Sequence, residues 1–300
     1  MIRFIARRLL TILLIAIAIV YFTFLGMHMI DNWEGEDAGY HLLQDGWLAA
    51  KDSATFFIDL LAGTLPEVPT VSGPRPVGEL LWFAYKNSIG LLLLSLAGGA
   101  LAGLLLGSLA ALTRRRRREY ALLLATTIGI SAPSFLIAVL LQQAGIKYTV
   151  TFGSRLVSMG GYAWDFQHLA MPLLVLAARP VAYLTRASYL GLSRIMEEDY
   201  IRTAFAKGLS LSRTVVTHAL RNLAVPVLTA VGVSVRFSLS ALPLVEFIFA
   251  WPGVGLRILE AIQDRVPLTV VVVALALGLT IQFVSLLLDV LYYVVDPRIR

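Results

Sequence analysis

The chain has 300 residues, 58% of them hydrophobic and only 15% charged, a balance too apolar for an ordinary soluble domain. It contains no cysteine, which excludes disulfides, thiolate catalysis and cysteine-based metal sites. The formal net charge of +6 would suit nucleic acid, but no aromatic platform or binding module accompanies the basic residues, so no nucleic-acid binding is expected.

The apolar residues come in long runs, and about 20 helical residues cross a hydrocarbon core of roughly 30 Å. Residues 9–30 form the first run, with Arg3, Arg7 and Arg8 before it. It is too long for a signal-peptide core and lacks a small-x-small cleavage site, so it reads as an uncleaved transmembrane helix. Residues 31–86 follow as an acidic segment carrying Asp31, Glu34, Glu36, Asp37, Asp45, Asp52, Asp59, Glu67 and Glu79. Its "TLPEVPTVSGPRPVGE" portion is rich in proline and glycine and predicts irregular chain. Its "ATFFIDLL" portion predicts a short helix on the membrane surface.

The second span covers 88–113. Ser95, Gly99, Gly103, Gly107 and Ala111 recur there every four residues. That spacing makes one smooth helix face, fit for close packing in lipid, although glycine is common in membrane helices in any case. "RRRRR" at Arg114–Arg118 follows, and then a third span over 120–146. The fourth and fifth spans, 169–190 and 223–249, carry Arg179, Arg236 and Glu246, and the sixth covers 266–288. The expectation is an all-α polytopic membrane protein with six transmembrane helices. The basic residues concentrate before the first span, at Arg114–Arg118, between Arg186 and Arg221, and at the end, which predicts cytoplasmic N- and C-termini.

No P-loop, HExxH, GxSxG or calcium-loop pattern occurs. His28, His41, His168 and His218 lie far apart and read as hydrogen-bonding residues, so no metal site and no catalytic residue are expected. Charges inside spans are functional suspects. Arg236 and Glu246 are candidate pore residues, with a structural pair the alternative for Arg236, the deepest, while Arg179, Glu246 and Asp289 are expected near helix ends, where snorkelling is cheap.

The polar stretch from 197 to 222, "EEDYIRTAFAKGLSLSRTVVTHALRN", interrupts this apolar text. Glu197, Glu198 and Asp199 suit a helix N-terminus. Tyr200, Ile201, Ala204, Phe205 and Gly208 follow at helical spacing. Gly208 can end that helix and Ser210 or Ser212 can cap the next, which runs on into the fifth span. The result is a hairpin shaped for a groove on a partner; the alternative is a helix lying on lipid.

This stretch resembles the cytoplasmic EAA-type coupling motif of ABC importer permeases of the dipeptide, oligopeptide and nickel group. Asp199, Tyr200, Ile201, Arg202, Thr203 and Ala204 look like its opening segment. Ala206, Lys207, Gly208 and Leu209 look like its turn, and His218, Ala219, Arg221, Asn222 and Pro226 like its return helix. Phe205 departs from the usual arginine. "APSF", "HLAMPLLVLAARPVAYLTRASYL", "VEFIFAWPGVGLRILEAIQDRVPLTV" and the terminal "DPRIR" are also similar to that family, whereas "HMIDNWEGED" replaces its Pro-Gly-Asp-Pro-like segment. The resemblance implies the MetI-like permease fold, in three parts: an N-terminal helix (1–30), an acidic extracytoplasmic loop (31–86), and a five-helix core (87–300) with the coupling loop 197–222. It implies a second homologous permease, two ABC ATPase subunits that hold ATP and Mg, and an extracytoplasmic solute-binding protein. It also implies peptides or a related small solute as cargo, with no cofactor on this chain. On the residues alone, a passive channel, a secondary transporter not driven by ATP, and an integral membrane enzyme remain alternatives.

Overall fold

The structure is a computed structural model that describes residues 2–33, 42–68, 73–113 and 116–295. Glu34, Glu36, Asp37, His41, Arg114, Arg115 and the terminal "DPRIR" lie outside the described residues. In chain order the elements are α1 (Ile2–Trp33), α2 (Leu42–Ala62), β1 (Glu67–Val68), β2 (Arg75–Pro76), α3 (Val77–Thr113), α4 (Arg116–Ser131) and α5 (Ser134–Phe152). Then come α6 (Phe166–Ile195), α7 (Asp199–Ala206), α8 (Leu211–Thr214), a π-helical turn (Val215–Ala219), α9 (Leu220–Ile248), α10 (Val254–Gln263) and α11 (Pro267–Val295). Among the described residues, six helical stretches are long and apolar enough to cross a membrane. Helices suit lipid because they satisfy their backbone groups internally.

Two elements differ from the sequence expectation. The third apolar run is not one helix: α4 stops at Ser131 and α5 starts at Ser134. Pro133 has no N–H to continue the helix and pushes Ala132 out of the helical region. The segment expected to hold only a short helix at "ATFFIDLL" instead forms the 21-residue α2.

The described chain forms two compact units. One is drawn from Met1–Ser88 and Pro252–Leu286, the other from Ile89–Trp251 and Leu287–Arg300. In the first, α1 packs along α2, and Ala16, Val20 and Phe56 share a core with Val68, Val77, Val271, Val272 and Leu275. β1 and β2 pair antiparallel, with Glu67 opposite Pro76. Polar contacts pin this unit: His28 Nε2 lies 2.8 Å from Asp52 Oδ2, the buried Asp45 accepts from Asn32, and Ser88 Oγ accepts from the Val254 N–H at 2.8 Å.

In the second unit α6 and α9 pack antiparallel: Gly191 meets Leu223 and Pro226, while Ser238 reaches Leu176. One core cluster gathers Met171, Val175, Leu176, Leu242, Val245, Phe249 and Trp251. Another gathers Ala111, Tyr189, Leu192, Ile195, Ile201, Ala219 and Leu223. Both helices contain prolines, Pro172 and Pro180 in α6, Pro226 and Pro243 in α9. A proline orphans the carbonyl four residues earlier, and in lipid that carbonyl needs another donor. For Pro180 the orphan is Leu176, and the buried Ser238 hydroxyl of α9 donates to it at 3.4 Å.

Candidate functional site

The polar stretch folds as a short helix, a glycine turn and a return. Glu198 occupies the N-cap position of α7 with extended backbone, and Asp199 stands in the first turn, where a carboxylate suits the helix dipole. Ile201 and Ala204 are buried and hold α7 against Leu192, Ile195, Ala219 and Leu223. Tyr200, Arg202, Thr203, Phe205, Ala206 and Lys207 are exposed. Helical spacing alone places Tyr200 and Phe205 on one stripe with Ile201 and Ala204. Packing divides that stripe: the aliphatic residues turn inward and both aromatic residues remain outside.

Gly208 closes the turn with φ +81°, a conformation that glycine adopts without steric cost. Its N–H donates to Phe205 O at 2.9 Å, and the Leu209 N–H donates to Ala204 O at 3.2 Å. Ser210 stands at the N-cap of α8 in extended conformation, but its side chain makes no capping bond. The π-helical turn at Val215–Ala219 then leads into α9. Such turns insert one extra residue into a helix and are frequent at functional sites. Asn222 Nδ2 donates to Tyr200 Oη at 2.8 Å and ties the two arms together.

The five small residues spaced four apart along α3 face one way. Ser95, Gly99, Gly103, Gly107 and Ala111 are buried, and the glycines lie against α6. A Cβ on Gly103 would stand 2.7 Å from Leu184 Cβ, and one on Gly107 only 2.3 Å from the Thr185 carbonyl oxygen. The two backbones therefore approach closer than any side chain would permit, which is how small residues gain packing contacts in lipid.

The intramembrane charges are distributed unevenly. Glu246 is fully buried in the last turns of α9, whereas Arg236 is exposed near its middle. Arg179 was expected near a helix end; it lies near the middle of the 30-residue α6, as it does in the apolar run 169–190 itself. Its guanidinium rests 5.0 Å above the Phe237 ring, and Phe237 stacks on Tyr183 with 5.7 Å between centroids. Sequence reasoning missed this stack and the Ser238–Leu176 bond. Pro180 was the available signal for the latter, since it marks Leu176 as an acceptor in need of a donor. Among the described residues, no three His, Asp or Glu side chains gather as a metal site.

Outside the spans, Asp165 caps α6. Its carboxylate accepts from the His168 N–H at 2.9 Å and lies 2.8 Å from His168 Nδ1. The backbone bond first, and the ring second, hold the Asp165 carboxyl below its ordinary value.

Residues 103–300 match the family model of the binding-protein-dependent transport system inner membrane component. The chain belongs to this family. It is similar to the dipeptide transport system permease protein DppB of Haemophilus influenzae, 34% identical over 247 residues, covering 75% of this chain and 74% of that protein. It is also similar to DppB of Bacillus subtilis, at 32% identity over 77% of this chain and 74% of the relative. The glutathione transport system permease protein GsiC of Escherichia coli K12 is 31% identical, over 75% and 72% respectively. The chain is thus a permease subunit of an ABC importer, a multi-pass inner-membrane protein and a non-catalytic transport component.

Proposed function

We propose that this permease subunit conducts peptides or closely related small solutes, and that residues 197–222 receive the stroke of separate ATPase subunits. The cargo reading is supported by the relatives, whose names specify dipeptide and glutathione transport. In this reading the chain forms half of the path and a second homologous permease forms the other half. An extracytoplasmic binding protein delivers the solute. Two ABC ATPase subunits hold ATP and Mg, and no cofactor resides on this chain. Both termini and the hairpin face the cytoplasm, a placement supported by the basic residues around the hairpin and near both termini.

The observation that carries the reading is the hairpin. Asp199 to Leu209 form a knob whose inner face, Ile201 and Ala204, is buried against the ends of α6 and α9. Its outer face, including Tyr200, Arg202, Phe205 and Lys207, is left for a partner's groove. A push on the knob therefore moves those two helices. The ATPases bias the two states of the path through contacts that differ between them. Arg236 lines the path; Glu246, the second pore candidate of the sequence, is fully buried within this subunit.

Gly208→Asp strains the left-handed turn and adds charge to the knob. It should abolish uptake and leave membrane insertion intact; normal uptake would refute the coupling role. The chain has no native cysteine, so Lys207→Cys is a clean topology probe. An impermeant maleimide should label it only after the cells are opened, and labelling in intact cells would reverse the orientation.

A further inference from the structure

Arg179 and Arg236 share one level of the α6–α9 pair. At 1.5 Å per residue, Arg179 is about 20 Å along the helix from Phe166 and about 24 Å from Ile195. Arg236 is about 18 Å from Ile248 and about 24 Å from Leu220. Arg236 adjoins Phe237, the ring beneath the Arg179 guanidinium. Neither arginine forms an ion pair with a carboxylate among the described residues. Arg179 donates one terminal N–H to Ala132 O at 3.3 Å, and its buried Nε has no acceptor. Arg236 is exposed, on a face of α9 that also exposes Thr229 and Ser240, two turns and one turn away.

A guanidinium at such depth does not face hydrocarbon; it faces a water-filled cavity or a partner. Two unneutralised cations at one level need an anion. Phe237 and Tyr183 brace the first guanidinium from beneath, and the second is free to meet a solute. Planar guanidinium groups match a carboxylate with paired N–H donors.

We propose that Arg179 and Arg236 form a carboxylate-holding station partway along the translocation path. The station takes the free carboxylate of a small solute, such as the C-terminus of a peptide. This rests on the reading of α9 as path-lining. The absence of a buried carboxylate partner suits transit, because a transport site must also let its solute go.

The test uses the complete transporter in proteoliposomes, with Ser240→Cys as the sole cysteine of this subunit. Its modification rates are compared for an anionic reagent, 2-sulfonatoethyl methanethiosulfonate, and a cationic one, 2-(trimethylammonio)ethyl methanethiosulfonate. Each is normalised to its reaction with a free thiol. The anionic reagent should be preferred roughly five- to tenfold, the effect expected of nearby cations in a watery cavity. The preference should fall to about one with Arg179→Gln and Arg236→Gln together, and persist with Arg236→Lys, which separates lost charge from lost packing. Dialanine at millimolar concentration should slow the anionic reaction, and alanyl-alaninamide should not. A thiol reached by neither reagent would sink the path reading itself, since the face would then be sealed by another subunit. A thiol reached equally by both, with the arginines present, would overturn the station and leave the path intact. Equal protection by the two peptides, or protection by neither, would overturn the carboxylate assignment.

Discussion

Gly107→Ala is the sharpest probe of how the transmembrane core is held. The new Cβ would stand 2.3 Å from Thr185 O, 2.8 Å from Ser188 Cβ and 3.0 Å from Tyr189 N. Two of these three are backbone atoms, so no side-chain rotation relieves the clash. α3 and α6 must separate by about 1 Å, a gap that forfeits a quarter to a half of each van der Waals contact along the seam. Overpacking of this kind costs about 1–3 kcal/mol. Gly98 lies on the exposed side of the same helix, and a Cβ added there would meet nothing within 4 Å. Gly98→Ala should be neutral or stabilise by up to about 1 kcal/mol through helix propensity. Thermal unfolding of the detergent-solubilised protein, followed by near-UV circular dichroism, compares the two. A Gly107→Ala variant as stable as Gly98→Ala would refute the close approach of α3 and α6.

Three further outcomes follow from other contacts. Ser238→Ala leaves the Leu176 carbonyl without its donor and should cost about 0.5–1.5 kcal/mol, read as lower stability and faster amide exchange around Pro180. Trp251 is fully buried, with Tyr162 and Trp164 at 5.1 and 5.2 Å edge-on; Trp251→Ala should cost about 3–5 kcal/mol in thermal unfolding and free the 153–165 connection to protease. Asp165 has a depressed carboxyl pKa, so its contribution is present above the ordinary value of 3.8 and is lost as pH falls through the lower folded value. The first turn of α6 should therefore loosen only below about that ordinary value, and Asp165→Asn, which keeps an acceptor but does not titrate, should remove this pH dependence in amide chemical shifts.

The spans were legible because lipid imposes a simple rule on composition. Uninterrupted apolar runs of more than 20 residues must be helices there, and the glycine repeat in α3 follows the helical period. The hairpin was legible for a related reason: an acidic start, a helical stripe and a glycine that ends it are all local signals. The same locality explains the misreadings. Pro133 broke the third run because a hydropathy reading weighs the side chain and not the missing N–H. Arg179 was misplaced because a charge reads as the edge of a span, although this one stands at the centre of the apolar run 169–190. Tyr200 and Phe205 were grouped with Ile201 and Ala204 because periodicity gives a face without saying which part of it finds neighbours.

The number of apolar spans, the small-residue face and the order of coupling segments were therefore determined by the sequence alone, since each follows from covalent chemistry and the solvent along a short stretch. Which helix meets that face, which hydroxyl satisfies the carbonyl that Pro180 orphans, and the depth shared by Arg179 and Arg236 were decided only by tertiary structure. Those facts join residues tens of positions apart, and only close packing brings them within a few ångströms of each other.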